Sequence, residues 1–208
     1  MKVIEYKYKF SIIMSIYNVE KFLAEAIDSI INQDIGFEEN VQLILVNDGS
    51  QDNSEEICIG YQKKYPNNIV YQKKENGGIS SAKNHGLKYR KGKYVNFFDS
   101  DDILEKNTLT EVEKFFSKNE NIISMIAIPL AFFEARTGLH PKYKYMGKSN
   151  RIINLDYEPY NFVLSSASVF YKTEIFDEFL FDEEIAGEED TMLNFKIYEK
   201  DHCFRICM

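Results

Sequence analysis

The sequence predicts an α/β fold in which a mostly parallel, Rossmann-like central sheet carries helices on both faces. Three observations predict it. Between Phe10 and Ile128, apolar runs of strand character alternate with stretches of helical period, and strands joined through helices are the crossover units of parallel sheets. The runs are apolar at consecutive rather than alternate positions, as strands covered on both faces are. Acid-containing clusters close two of the runs, which sets those acids at the carboxyl ends where open α/β sheets bind ligands.

Phe10 to Tyr17 (FSIIMSIY) reads as the first strand. Asn18 is placed to cap the helix that follows, in which Phe22, Leu23, Ala26, Ile27, Ile30 and Ile31 form one apolar stripe before Gly36. Val41 to Val46 is a second strand, stopped by the turn composition Asn47-Asp48-Gly49-Ser50. Asp52 and Glu55 have capping-box spacing, and the helix through Ile57, Tyr61 and Tyr65 stops near Pro66. Ile69 to Gln72 is a third strand, Asn76-Gly77-Gly78 a turn, Ser80 to Tyr89 a short helix and Lys93 to Phe98 a fourth strand. A helix then carries Leu109, Val112, Phe115 and Phe116, and Ile122 to Ile128 is a fifth strand.

After Pro129 the rhythm breaks. Phe132 to Asn150 is polar, aromatic and glycine-punctuated, which fits a hairpin or a loop that meets a second substrate, and equally a plain surface excursion. Val163 to Tyr171 reads as a strand. Gly187-Glu188-Glu189-Asp190 opens a helix through Met192, Leu193, Lys196 and Ile197, and a helix N-terminus favours carboxylates. Cys203 to Met208 reads as a strand cut short, so the chain is expected to be a piece of a longer protein.

Composition narrows the function. The 208 residues are enough for one domain with its own core. A net charge of -8 argues against a nucleic-acid partner. The lysines between Lys63 and Lys93 are interleaved with polar residues and read as a solvated face. Cys58, Cys203 and Cys207 have neither metal-binding spacing nor an even count, so free thiols in a reducing, cytoplasmic setting are expected. Met1 to Lys9 lacks the apolar core of a signal peptide, and no run is long enough to span a bilayer.

The chemistry concentrates in Tyr94 to Leu104, where an aromatic strand ends in Asp99-Ser100-Asp101-Asp102. Three acids in four residues repel one another unless something positive offsets them. Carboxylate oxygens suit a hard dication such as Mg²⁺ or Mn²⁺ held together with a diphosphate. Along an extended chain, Asp99 and Asp101 address one ligand and Asp102 points elsewhere. A polar turn or a helix N-terminus accommodates such a cluster equally well. The topology adds a second expectation: Asp48 and Asp99, each just past a strand, should meet on one rim of the sheet.

Five motifs in order resemble glycosyltransferase family 2, with its GT-A fold. They are Ile16-Tyr17-Asn18, Val46-Asn47-Asp48-Gly49-Ser50, the segment Asn76 to Leu87 (NGGISSAKNHGL), Phe98-Asp99-Ser100-Asp101-Asp102 as a D-x-D signature, and Glu189-Asp190. The resemblance implies inverting, metal-dependent transfer of a sugar from a UDP-sugar donor to a hydroxyl of a glycan or polyol-phosphate polymer. It implies that Asp48 accepts from uracil, that Tyr17 flanks the base beside Asn18, and that Asp99 with Ser100 meets the ribose. Asp101 would ligate Mn²⁺ or Mg²⁺, and Asp190 would be the general base, with Glu189 as its neighbour or substitute. Lys83 stands where the family usually has Arg, and a point charge replaces a planar fork; contact with donor phosphate is the role expected of it. Residues 1–128 would form the nucleotide-sugar half and 129–208 the acceptor half of one domain. Thr137 to Pro141 and Arg151 to Leu155 resemble members that decorate teichoic-acid or capsule-type polymers, which suggests a bacterial surface-polysaccharide acceptor; the expected location is cytoplasmic, with room for peripheral contact at the inner face of the membrane through regions beyond this chain.

Two other classes compete. A nucleotide-sugar-binding fragment without turnover would bind UDP-sugar and transfer nothing. A sugar-phosphate nucleotidyltransferase needs a glycine-rich basic loop after strand one, whereas Tyr17-Asn18-Val19-Glu20 follows here with no glycine before Gly36.

Overall fold

In the computed structural model of the chain, the described residues are 5–120, 125–128, 131–132, 138–139, 152–154, 166–185, 187–201 and 205–207. The first half runs β1 (Tyr8–Ile16), α1 (Glu20–Ile31), α2 (Phe37–Asn40), β2 (Val41–Asn47), α3 (Ser54–Lys64), β3 (Ile69–Lys73), α4 (Ile79–Leu87), β4 (Gly92–Asp99), α5 (Thr108–Lys118) and β5 (Met125–Ala127). The second half holds β6 (Ala131–Phe132), β7 (Gly138–Leu139), β8 (Ile152–Asn154), β9 (Val169–Lys172), α6 (Glu189–Asp201) and β10 (Arg205–Cys207). The stretch from Phe132 to Asn150, read above as a hairpin, a second-substrate loop or a plain surface excursion, lies for the most part outside the described residues, as does the Thr137 to Pro141 segment within it.

Six strands form the main sheet in the order β3-β2-β1-β4-β9-β5. β1 lies parallel between β2 and β4, and β3 is parallel to β2. β9 runs antiparallel to both β4 and β5. The expected mostly parallel α/β sheet is therefore present, with one inserted antiparallel strand that periodicity does not announce. Part of the strand expected over 163–171 is a 3-10 turn, Ser166–Ser168, and β9 begins only at Val169. The turn suits the buried Asn96 of β4, whose Nδ2 donates to Ala167 O at 3.0 Å and Val169 O at 2.9 Å.

The two sheet faces have separate cores. Phe10, Ile12, Met14 and Ile16 of β1 pack with Leu23, Ile27 and Ile30 of α1 and with Phe116 of α5. Ile13 packs on the other face with Ala82 and Leu87 of α4, Phe97, Tyr171 and Leu193. Every residue of β2 is buried, as its unbroken apolar run requires. On the second face Gly86 allows α4 to touch β1: a Cβ there would stand 2.5 Å from the Ile13 methyl. That close approach fixes α4 and the side chains it carries toward the strand ends. Cys58 is a buried free thiol, pushed up to about 12 by burial.

Helix capping departs from the sequence reading. Asn18 has φ 54°, in the left-handed region, and does not cap α1. Asp52 and Glu55 do not close a box within α3 either. The caps are exchanged between helices. Asp52 Oδ2 accepts from the Glu20 N–H at 2.9 Å at the start of α1, and its Oδ1 accepts from Ser54 N–H. Glu20 Oε2 accepts from the Asn53 N–H at 2.8 Å at the start of α3. Glu55 pairs instead with Lys73.

Candidate active site

Because β1 separates β2 from β4 and all three are parallel, their carboxyl ends open onto one rim. There a cavity of about 420 Å³ is lined by Tyr17 after β1, Asp48 after β2, Lys83 of α4 and the run Asp99 to Asp101 at the end of β4. Small-molecule sites span roughly 300–1,000 Å³. Asp48 and Asp99 thus share one cavity, as the topology alone required.

The β2 end is rigidly built. Gly49 has φ +81°, and a Cβ there would meet Asn76 N at 3.1 Å, so the turn suits glycine on two counts. Asn47 Oδ1 accepts from Ser50 N–H, and Asp48 N–H donates to Ile16 O. The Asp48 carboxylate accepts from Lys74 Nζ at 2.7 Å, Gly77 N–H at 3.0 Å and Gly78 N–H at 2.9 Å. Asp48 therefore shapes the Asn76–Gly78 loop as well as facing the cavity. Asn18 stands beside the cavity rather than in its lining: its N–H donates to Ser50 Oγ, and its Oδ1 accepts from Gln51 N–H at 2.8 Å. Tyr17 is 51% exposed at the mouth, a flat apolar surface open to a planar ligand.

At the β4 end the chain turns immediately after Asp99. Extended alternation stops there, so Ser100 joins Asp99 and Asp101 in the lining, and Asp102 does not. Burial, then the charge of Asp102, pushes the Asp99 carboxyl up to about 7; Lys83 opposes the shift, and Asp190 and Asp101 add to it. Asp102 is also raised, first by burial and then by Asp101. Negative charge at this corner is thus under-compensated by the protein itself. Among the described residues no group of three or more His, Cys, Asp or Glu forms a complete cation cage. Hard dications of the Mg²⁺ kind are commonly held by one or two carboxylates and completed by substrate phosphates. Asp101 on the cavity wall, with acidic neighbours, fits that arrangement.

The third corner comes from the second half of the chain. Lys83, 3% exposed, donates from Nζ to Asp190 Oδ1 at 2.8 Å and Glu189 Oε1 at 3.0 Å, and its ammonium lies 4.9 Å from the centre of the Phe181 ring. Tyr171 OH donates to Asn194 Oδ1, and Asn194 Nδ2 donates to Asp190 O at 2.8 Å, which ties α6 to the sheet. The α6 N-terminus is thereby held beside the cavity wall with both acids in its first turn.

The structure thus brings together Tyr17, Asp48, Lys83, Asp99, Ser100, Asp101, Glu189 and Asp190, with Asn18 as a brace behind them. Sequence reasoning missed three residues. Lys74, read as part of a solvated face, pairs with Asp48. Asn84 grips the segment before α6: its Nδ2 donates to Phe181 O, and its Oδ1 accepts from Phe181 N–H. Phe181 floors the Lys83 ammonium. Only Asn84 carried a usable signal, as a polar residue on the buried face of a short helix. His85 packs on Tyr89, with ring centres 5.5 Å apart.

The chain belongs to glycosyl transferase family 2, whose family model matches residues 11–180. It is 49% identical over 196 residues to the minor teichoic acid biosynthesis protein GgaB of Bacillus subtilis, covering 94% of this chain and 22% of that protein. It is 39% identical over 188 residues to GgaA of the same organism, covering 88% of this chain and 42% of that protein. The chain therefore spans less than half the length of either relative. Among solved structures, S. aureus TarS 1-349 in complex with UDP-GlcNAc superposes with a TM-score of 0.81 at 27% identity, over 96% of this chain and 55% of that one. The GT-A resemblance read from the motifs is borne out in the fold. Among the described residues, no helix is long and apolar enough to cross a membrane.

Proposed function

We propose that this chain is the catalytic domain of an inverting, divalent-metal-dependent glycosyltransferase that moves a sugar from UDP to a hydroxyl of a teichoic-acid-type polymer. The observation that carries the reading is one cavity at three parallel strand ends, with Asp48 and Asp99 to Asp101 on its wall and the α6 carboxylates tied to it through Lys83. The GgaB and GgaA likenesses support the polymer class, and the TarS complex supports the nucleotide. Residues 1–128 supply the donor half and 129–208 the acceptor half of a single domain. Work on a membrane-borne polymer would place the domain on the cytoplasmic face.

Tyr17 offers its exposed ring to the base, and the Asp48 carboxylate, held by the Gly77 and Gly78 amides, faces the base edge. Asp99 and Ser100 receive the ribose hydroxyls, and Asp101 holds the dication. That dication, when bound, offsets charge on the leaving diphosphate as a Lewis acid. Asp190 takes the proton from the acceptor hydroxyl. Its side chain is 19% exposed against 8% for Glu189, so it is the more accessible of the two acids. General-base assistance contributes roughly 10²- to 10⁴-fold.

Calorimetric titration of UDP, with and without Mn²⁺, tests the donor site. Binding is expected to require Mn²⁺ and to fall at least tenfold in Asp101→Ala; equal affinity in the variant would remove Asp101 from the metal role. Incubation with UDP-glucose, UDP-GlcNAc and UDP-GalNAc plus a polyol-phosphate acceptor should release UDP. Binding with no release under any pairing would establish a donor-binding fragment without turnover.

A further inference from the structure

We propose that Lys83 is a positioning residue for the Glu189–Asp190 pair and not a ligand of donor phosphate; the proposal rests on the glycosyltransferase reading above. Lys83 lies in the A-K-N segment of α4, at the cavity wall, where phosphate contact is the natural expectation for a cation. Its surroundings say otherwise. The side chain is 3% exposed, and its ammonium contacts a carboxylate on each of two successive α6 residues, at 3.0 and 2.8 Å. Phe181 lies beneath it at 4.9 Å, an arrangement in which ring and cation attract.

Both ends of this contact are held independently. On the α4 side, Gly86 seats the helix against Ile13 of β1, and Asn84 clasps Phe181 through two hydrogen bonds. On the α6 side, Asn194 and Tyr171 hold the backbone at Asp190. To reach a phosphate, Lys83 would have to leave two carboxylates, one of them buried, without their ammonium, and a buried ionised group left without its partner is strongly unfavourable. A lysine suits the place for a geometric reason. Its ammonium directs three N–H bonds from one point, so it can serve two carboxylates one residue apart, whereas the planar guanidinium of arginine favours a two-pronged grip on one group. Lys83 thus fixes where the Asp190 carboxylate sits relative to the donor cavity, and Glu189 is the second anchor of the same clamp.

The test compares Lys83→Met and Lys83→Arg with wild type in UDP titration with Mn²⁺ and in steady-state transfer. Lys83→Met should lower kcat at least 30-fold while the UDP Kd and donor KM stay within threefold, and Lys83→Arg should recover part of the kcat. In an Asp190→Asn background, where the base is already absent, Lys83→Met should lower kcat by no more than a further threefold, because residues that act as one unit are not additive. If Lys83→Met loses cooperative unfolding, Lys83→Met/Glu189→Gln, which removes a buried acid together with its cation, is measured in its place. A tenfold or larger rise in UDP Kd in the variant that folds overturns the proposal and makes Lys83 a donor ligand. Full additivity with Asp190→Asn overturns it as well. Wild type that neither binds UDP nor transfers sugar overturns the glycosyltransferase reading, and this assignment with it.

Discussion

Glu189 and Asp190 are adjacent acids at one helix terminus, yet their surroundings differ. The Glu189 side chain is 8% exposed against 19% for Asp190, and both meet the same ammonium. Replacing Asp190 by Asn keeps the shape and removes the carboxylate proposed as the base. The expected outcome is a fall in kcat of about 10²- to 10⁴-fold with UDP affinity unchanged, read by steady-state transfer alongside calorimetry; a mutant with wild-type kcat would move the base role to Glu189. At this scale the sequence was most legible where a residue type is itself the chemistry. Asp48, Asp99, Asp101 and Asp190 are acids at element ends, and each lies at or beside the cavity. It was least legible where the role depends on a partner far along the chain. Lys83 meets its acids more than 100 positions away, as the separations of 106 and 107 show. Lys74 looks like any surface lysine until Asp48 is beside it.

At the level of elements, α1 and α3 begin side by side, and each relies on an acid from the segment that opens the other. Asp52 feels partial burial, which raises a carboxyl, but hydrogen bonds from Ser54 and the Glu20 N–H outweigh it and hold the group below its ordinary 3.8. A depressed carboxyl stabilises the fold above its unfolded pKa and loses that contribution as pH falls through the folded value. Asp52→Ala should therefore cost stability at pH 7, by the ~1 kcal/mol typical of a lost cap, and progressively less below pH ~4, near the ordinary Asp value. Urea midpoints at pH 7 and pH 3 check this, and an equal loss at both pH values would assign the effect to packing. The elements themselves were legible, since the stripe in α1 and the apolar runs of β1, β2 and β4 follow from periodicity. The caps were not, because Asp52-x-x-Glu55 satisfies a local rule while the stronger bonds run between helices.

On the scale of the whole molecule, the sheet places its parallel core early and its reversed strand late. β1 is bonded on both sides along nearly its full length, by seven register pairs to β2 and seven to β4. Its amides should exchange with solvent only on global unfolding, whereas β3, with one neighbour, should exchange through local opening. Hydrogen-exchange mass spectrometry would show this order, and equal protection of β1 and β3 would contradict it. The four strands of the parallel core were legible because each is an apolar run set between helical stretches, whereas their order was not, since β4 joins β1 and not β3. The position of β9 was not, since a strand of four residues carries no address for the neighbour it will join. That position has a consequence in time. As the chain leaves the ribosome, β5 emerges before its partner exists, for among the described residues its neighbour in the main sheet is β9, which follows about forty residues later. Until then the outer edge of β4, which ends in Asp99, stays unpaired. The nascent sheet therefore carries an open edge beside Asp99 until the second half of the chain arrives to cover it.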